Sequence, residues 1–290
     1  MKKYVIITDS CSDLNKNLRE KYDIEYVPMH YSYNGNDFIA DLDYKDISSH
    51  DFYNIMREGN RILTSQVNSL DYKNVFRKYL LEGYDILSIS CSSALSSSYK
   101  GSLLVKEELE KEFVDQKIVC IDSLNACLGL GLICIIASEL RSEGKSIIEV
   151  KDYLEENKNK IKQEAVIDNL NYLKRAGRVS SASAFFGGML NIKPIIISNN
   201  IGENEAVEKV KGRKNSLSRI VERMKEQYQT SNYKKVFIGH ADAIEDAKYI
   251  KELLEIEFFD KDLEIEICEI GPIIGASVGP GTIGLYFYGD

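Results

Sequence analysis

The chain has 290 residues, 44% of them hydrophobic and 28% charged, with a formal net charge of -8. This is too rich in apolar residues for a disordered chain, and the length suits one large or two medium globular domains. The negative charge argues against nucleic-acid binding by counterion release and against adsorption to anionic lipid surfaces. The six scattered cysteines lack the density and short spacings of a disulfide scaffold or zinc site, and they suit free thiols in a cytoplasmic protein.

The N-terminus passes from Lys2 and Lys3 straight into a short apolar run and then Asp9, with no secretory h-region. Tyr4 to Ile7 predicts a strand ending in the polar run Thr8 to Asp13. Ile86 to Ser90 predicts a second, ending in Cys91 to Ser98, and Ile118 to Ile121 a third, ending in Asp122-Ser123. Such strand, turn and helix units are the signature of a parallel sheet in an α/β fold, which binds ligands outside the carboxyl ends of its strands. Leu124 to Leu140 predicts a buried helix, its apolar core from Ala126 to Ala137 well short of the ~20 residues that span a bilayer. The charged stretch Lys151 to Glu164 reads as helical and marks the passage to a second domain, giving units 1–157 and 158–290. In the second unit, strands are expected at Pro194 to Ile197, Val236 to Gly239, Leu263 to Glu269 and Gly284 to Tyr288. Helices are expected at Ser216 to Gln229 and Ala243 to Ile256, and a glycine- and proline-rich loop from Gly271 to Gly281.

Several motifs fail their own requirements. Gly275-Ala-Ser277-Val-Gly279 fits the nucleophile-elbow letters, but Pro280-Gly281 follows at once and no histidine lies beyond His240. Gly279 to Gly284 fits G-x-G-x-x-G too close to the C-terminus to open a βαβ unit. His30, His50 and His240 have no second ligand at metal spacing, and Asp41, Asp43 and Asp46 read as a solvated acidic turn. Asp13 reads as a helix cap.

The hydroxyls are different. Thr64-Ser-Gln66 and Ser92 to Ser98 place many donors beside strand and helix ends. If they converge, hydroxyls and helix N-terminal amides would hold one carboxylate by charge-assisted hydrogen bonds without a cation. No adjacent base is present to activate a nucleophile, so binding is expected rather than catalysis; the rival is an acyl- or phosphoryl-transfer enzyme using the same hydroxyls. An acyl chain would need an apolar cavity, for which Gly129 and Gly131 in the apolar helix offer room and Phe185 to Leu190 a closing segment. Lys209 to Lys214 with Arg219, Arg223 and Lys225 form a local basic segment, either a solvated face or a docking surface for an acidic partner.

Taken in order, Thr8-Asp-Ser-Cys-Ser-Asp13, Thr64-Ser-Gln66, Ser92-Ser-Ala-Leu-Ser96 with Tyr99, Asp122-Ser123, Leu173 to Ser180, Lys193-Pro194 and Gly271 to Gly281 resemble the DegV family of fatty-acid-binding proteins, which includes the FakB subunits of bacterial fatty acid kinases. The resemblance spans the whole chain. It implies a two-domain α/β fold with a Rossmann-like parallel sheet in the N-terminal domain, a second mixed α/β domain, and a long-chain, palmitate-like fatty acid buried between them. It also implies that Thr64 and Ser96 bind the carboxylate, that Ser92 and Ser93 shape the helix start beside them, and that Arg178 contacts a partner kinase, which performs the chemistry. No cofactor or metal is implied. Three positions depart from the family pattern: Ser97 replaces a usual glycine, Val67 a common proline, and Ser277 a frequent histidine, so Ser277 is expected to offer the carboxylate a neutral hydrogen bond.

Overall fold

A computed structural model describes residues 3–180, 191–228 and 233–289. The first part of the chain runs β1 (Tyr4–Asp9), α1 (Lys16–Tyr22), β2 (Ile24–Val27), β3 (His30–Tyr33), β4 (Asn36–Ile39), α2 (Ser49–Arg57), β5 (Leu63–Ser65), α3 (Ser69–Leu81), β6 (Asp85–Ser90), α4 (Ser98–Leu109), β7 (Ile118–Asp122), α5 (Cys127–Ser142) and α6 (Ile147–Asn157). It continues with β8 (Ile161–Val166), α7 (Asn171–Ala176), β9 (Ile192–Ser198), β10 (Asn204–Lys211), α8 (Arg213–Gln227), β11 (Lys235–His240), α9 (Ile244–Glu257), β12 (Glu264–Glu269), α10 (Pro272–Val278) and β13 (Ile283–Tyr288).

Strands β2-β1-β6-β7 form an all-parallel sheet, and β1 and β6 at its centre are buried throughout, as expected for strands covered on both faces. A six-stranded mixed sheet runs β10-β9-β8-β13-β11-β12, with only β11 and β12 parallel. The α/β class with a parallel first sheet and a mixed second one is therefore as the sequence indicated. A small antiparallel sheet, β4-β3-β5, went unforeseen.

Helix α5 explains how the two large sheets meet. It touches β1, β2 and β6 on one side and β8, β11 and β13 on the other, so it is apolar all round because both faces are covered. Its glycines serve close packing and do not open room for an acyl chain. A Cβ at Gly131 would stand 2.7 Å from the Ser12 carbonyl, and one at Gly129 would stand 2.7 Å from Asn125 Oδ1 and 3.4 Å from the Tyr286 ring.

Four other expectations change. The helical reading of Lys151 to Glu164 fails after Asn157, because Ile161 to Val166 form β8, a strand buried on both faces except at Lys162. Residues 272–278 form a helix where a loop was expected: Pro272 occupies its first turn, where the missing N–H is no loss, and Ile273 and Gly275 are buried. Only Gly279 (φ +80°) and Gly281 (φ +78°) take the left-handed backbone expected of that segment. Asp13 caps nothing at a helix start, since the side chain of Asn15 accepts the Leu18 amide. Asp43 is no freely solvated acid, being paired with Arg19 at 2.7 Å.

The helical part of the basic segment is likewise neutralised from within. Arg219 holds Glu208, Glu222 and Glu226, Arg223 holds Glu164, and Lys225 holds Glu257. The proposed closing segment Phe185 to Leu190 lies outside the described residues.

Candidate ligand site

Elements of all three sheets deliver residues to one cavity of about 160 Å³, where roughly 10–15 Å³ suffices for a single water. Thr64 comes from β5, paired opposite Tyr31 of β3. Ser96 comes from the turn before α4, in which the Ser92 carbonyl accepts the Leu95 and Ser96 amides at 2.9 Å each. Ser277 comes from the last turn of α10, and Arg178 from the residue after Gly177, whose left-handed φ of +66° ends α7 and turns the chain. All four line the cavity.

Ser98, unforeseen in this role, ties the first two segments together. Its hydroxyl accepts the Val67 amide at 3.1 Å and shares a hydrogen bond with Ser96 Oγ at 2.9 Å, while Ser96 Oγ accepts the Ser98 amide at 3.2 Å. The Ser96 hydroxyl is thereby fixed beside the strand end that carries Thr64. Ser92 and Ser93 do not line the cavity. Ser92 Oγ donates to the Gly202 carbonyl at 2.8 Å, and the Ser93 amide donates to Asp122.

Away from the hydroxyls the wall is largely apolar. Ala165 faces it from β8 and Ile167 from the residue just after that strand, Ile196 from β9, and Ile273, Ile274 and Val278 from α10. Cys11, Met29, Cys91 and Cys127 close another side. Burial pushes the Cys127 thiol well above its usual range, so it offers little thiolate for nucleophilic chemistry.

Two buried acids stand behind these thiols. Asp9 accepts the amides of Cys11 at 2.9 Å and Cys91 at 2.8 Å, joining the ends of β1 and β6; burial still raises its pKa to about 6. Asp13 is 3% exposed and neither carboxyl oxygen has a hydrogen-bond partner of good geometry. Its burial raises the pKa to about 8, against smaller downward pulls from the Cys127 thiol and the Gly271 amide.

The cavity mouth is cationic. A smaller adjoining cavity of about 100 Å³ shares Thr64, Arg178 and Ser277 and adds Arg61 and Arg175. Arg19, Arg57, Arg77, Arg141, Arg213, Arg219 and Arg223 each hold a carboxylate at 2.5–3.2 Å. The three arginines at the mouth hold none among the described residues. Among those residues there is also no group of three His, Cys, Asp or Glu suited to a metal, and no helix long and apolar enough to cross a membrane.

Comparison with known proteins agrees with this architecture. A DegV domain-containing protein of Clostridium perfringens is 39% identical over all of this chain and 99% of its own length, and one of Clostridium acetobutylicum is 32% identical over 98% and 96%. Among solved structures, a fatty-acid-binding DegV family protein from Thermus thermophilus superposes with a TM-score of 0.87 at 27% identity over the full length of both chains. A Thermotoga maritima protein described as revealing fatty acid binding function gives 0.86 at 27%, and the fatty acid binding protein DegV of Bacillus subtilis gives 0.85 at 25%, both over the full length of both chains. Residues 3–290 match the family described as "Uncharacterised protein, DegV family", and the chain belongs to the DegV family.

Proposed function

We propose that this chain binds a long-chain fatty acid such as palmitate in the cavity between its large sheets, performs no chemistry on it, and presents its carboxylate to a partner kinase in the cytoplasm. Residues 1–157 supply the carboxylate-binding hydroxyls of Thr64 and Ser96, and residues 158–290 cover the acyl chain and add Ser277. The observation that carries this reading is the meeting of Thr64, Ser96 and Ser277 on a cavity whose remaining wall is mostly hydrocarbon and sulfur. Hydroxyl donors suit a carboxylate, which gains more from each charge-assisted bond than a neutral group does. Fourteen or so buried methylenes at ~0.8 kcal/mol each supply on the order of 10 kcal/mol before ordering costs.

A binding role also fits the placement of the histidine closest in register. His30 pairs across the ribbon with Ser65, so its side chain stands on the face opposite that of Thr64, where it meets Asp71 at 3.0 Å and not the Thr64 hydroxyl. Hand-over to a partner is supported by the rim of Arg61, Arg175 and Arg178, which favours a developing negative charge at the exposed end of the ligand. The test is a titration of delipidated protein with hexadecanoic acid and with hexadecanol. The acid should bind at least tenfold more tightly; equal affinities would remove the carboxylate site.

A further inference from the structure

The β8 wall of the cavity carries one polar group that a plain hydrocarbon chain leaves unanswered. Gln163 is 7% exposed and faces the cavity alongside Ala165 and Ile167, whereas its neighbour Glu164 points to the opposite face and Arg223. Gln163 Nε2 donates to Asn204 Oδ1 at 3.2 Å, and Asn204 Nδ2 donates to the Arg178 carbonyl at 3.1 Å.

This chain of bonds fixes both amides. A backbone carbonyl can only accept, so Asn204 must turn its NH2 to Arg178 and its oxygen to Gln163. Gln163 must then turn its own NH2 to Asn204. The orientation follows from the anchoring carbonyl and not from telling nearly identical O and N atoms apart. What remains is Gln163 Oε1, which has no hydrogen-bond partner among the described residues. Tyr286, opposite it on β13, folds its ring back over Gly284, where a Cβ would stand 2.5 Å from the phenol oxygen.

Oε1 is open to the cavity, and methylenes packed against it would take it from water without giving it a donor. The cavity is lined by Ala165, Ile167 and Ile196 together with Asn204, Thr282 and Tyr286, so a hydroxyl on a bound chain would take the place that a water otherwise holds. We infer that the preferred ligand is a long-chain acid bearing a neutral hydroxyl along its chain, whose O–H donates to Gln163 Oε1. This rests on the reading of the cavity as an acyl site, and it assigns Gln163 as the residue that selects among acyl chains.

The test uses delipidated full-length protein and a series of hexadecanoic acids carrying one hydroxyl at successive carbons, with hexadecanoic acid as reference. One neutral hydrogen bond corresponds to an advantage of roughly three- to tenfold for the isomer whose hydroxyl reaches Oε1. Gln163→Met should abolish that advantage while binding the reference acid at least as tightly as the wild type. If the reference binds and no hydroxy acid exceeds it, or if the advantage survives Gln163→Met, the inference is wrong and the fatty-acid reading stands. If neither the reference nor any hydroxy acid binds, both fall. The wild-type series needs no variant to fold, so misfolding of Gln163→Met does not shield the inference.

Discussion

Replacing Asp13 by Asn tests how the loop after β1 is held against the start of α10. The carboxyl is buried, without good partners, and so close to Gly271 that a Cβ there would stand 2.6 Å from Oδ1. Its pKa is about 8 in the folded chain against an ordinary 3.8. Between those values the native state keeps a proton that the unfolded chain has released, so stability falls as pH rises and the loss is complete above about 8. Asp9, at about 6, contributes its own fall only at lower pH, which leaves pH 6 to 8 as the window in which Asp13 dominates. Two pH units at about 1.4 kcal/mol each set a ceiling of roughly 3 kcal/mol on the stability lost there. Asn cannot titrate, but its buried NH2 costs about 1–3 kcal/mol if unpaired. Asp13→Asn should therefore be no more stable than wild type at pH 6 and should lose much less stability on going to pH 8. Urea denaturation at half-unit pH steps measures this. An unchanged slope over pH 6 to 8 would refute the reasoning.

Thr64→Ala and Ser96→Ala should each weaken fatty acid binding by roughly 1–3 kcal/mol, the worth of a hydrogen bond to a charged group, as measured by calorimetric titration; full affinity in both would reject the carboxylate assignment. Gly131→Ala should destabilise by about 1–3 kcal/mol in thermal denaturation, because the new methyl meets the Ser12 carbonyl and Leu14, whereas a neutral result would restore the glycine as open space. Arg223→Met should cost about 3–5 kcal/mol, since it leaves the Glu164 carboxylate, whose side chain is 1% exposed, with the neutral Gln227 amide and no cation, and a loss under about 1 kcal/mol would contradict that view of the pair.

The sequence made the parallel sheet legible because β1, β6 and β7 are short apolar runs ending in small polar residues, and period and composition agree there. It misled where composition and period disagree. Ile161 to Glu164 continues a charged run, yet its alternation belongs to a strand, with Gln163 turned to the cavity and Glu164 to Arg223. The letters of 271–281 suggest a loop because glycine and proline dominate, but Pro272 fits the first turn of a helix and Ile273 and Gly275 supply a buried face. Thr64 and Ser96 stand out in the sequence within hydroxyl-rich segments and Ser277 and Arg178 through the family resemblance; the fold brings all four to one cavity. Ser98 was not singled out, because its importance lies in joining two segments separated by about thirty residues, which no local pattern records. Arg61 and Arg175 of the rim were hidden for the same reason: they are distant in sequence, and only the fold shows which arginines lack a carboxylate.

The most direct measurement is organic extraction and mass spectrometry of the lipid carried by protein purified from a bacterial host, quantified per mole of chain, followed by rebinding of palmitate to the delipidated protein. The expected result is close to one long-chain acid per chain and saturable rebinding. No acyl chain in the extract, together with failure to rebind palmitate, would contradict the central claim.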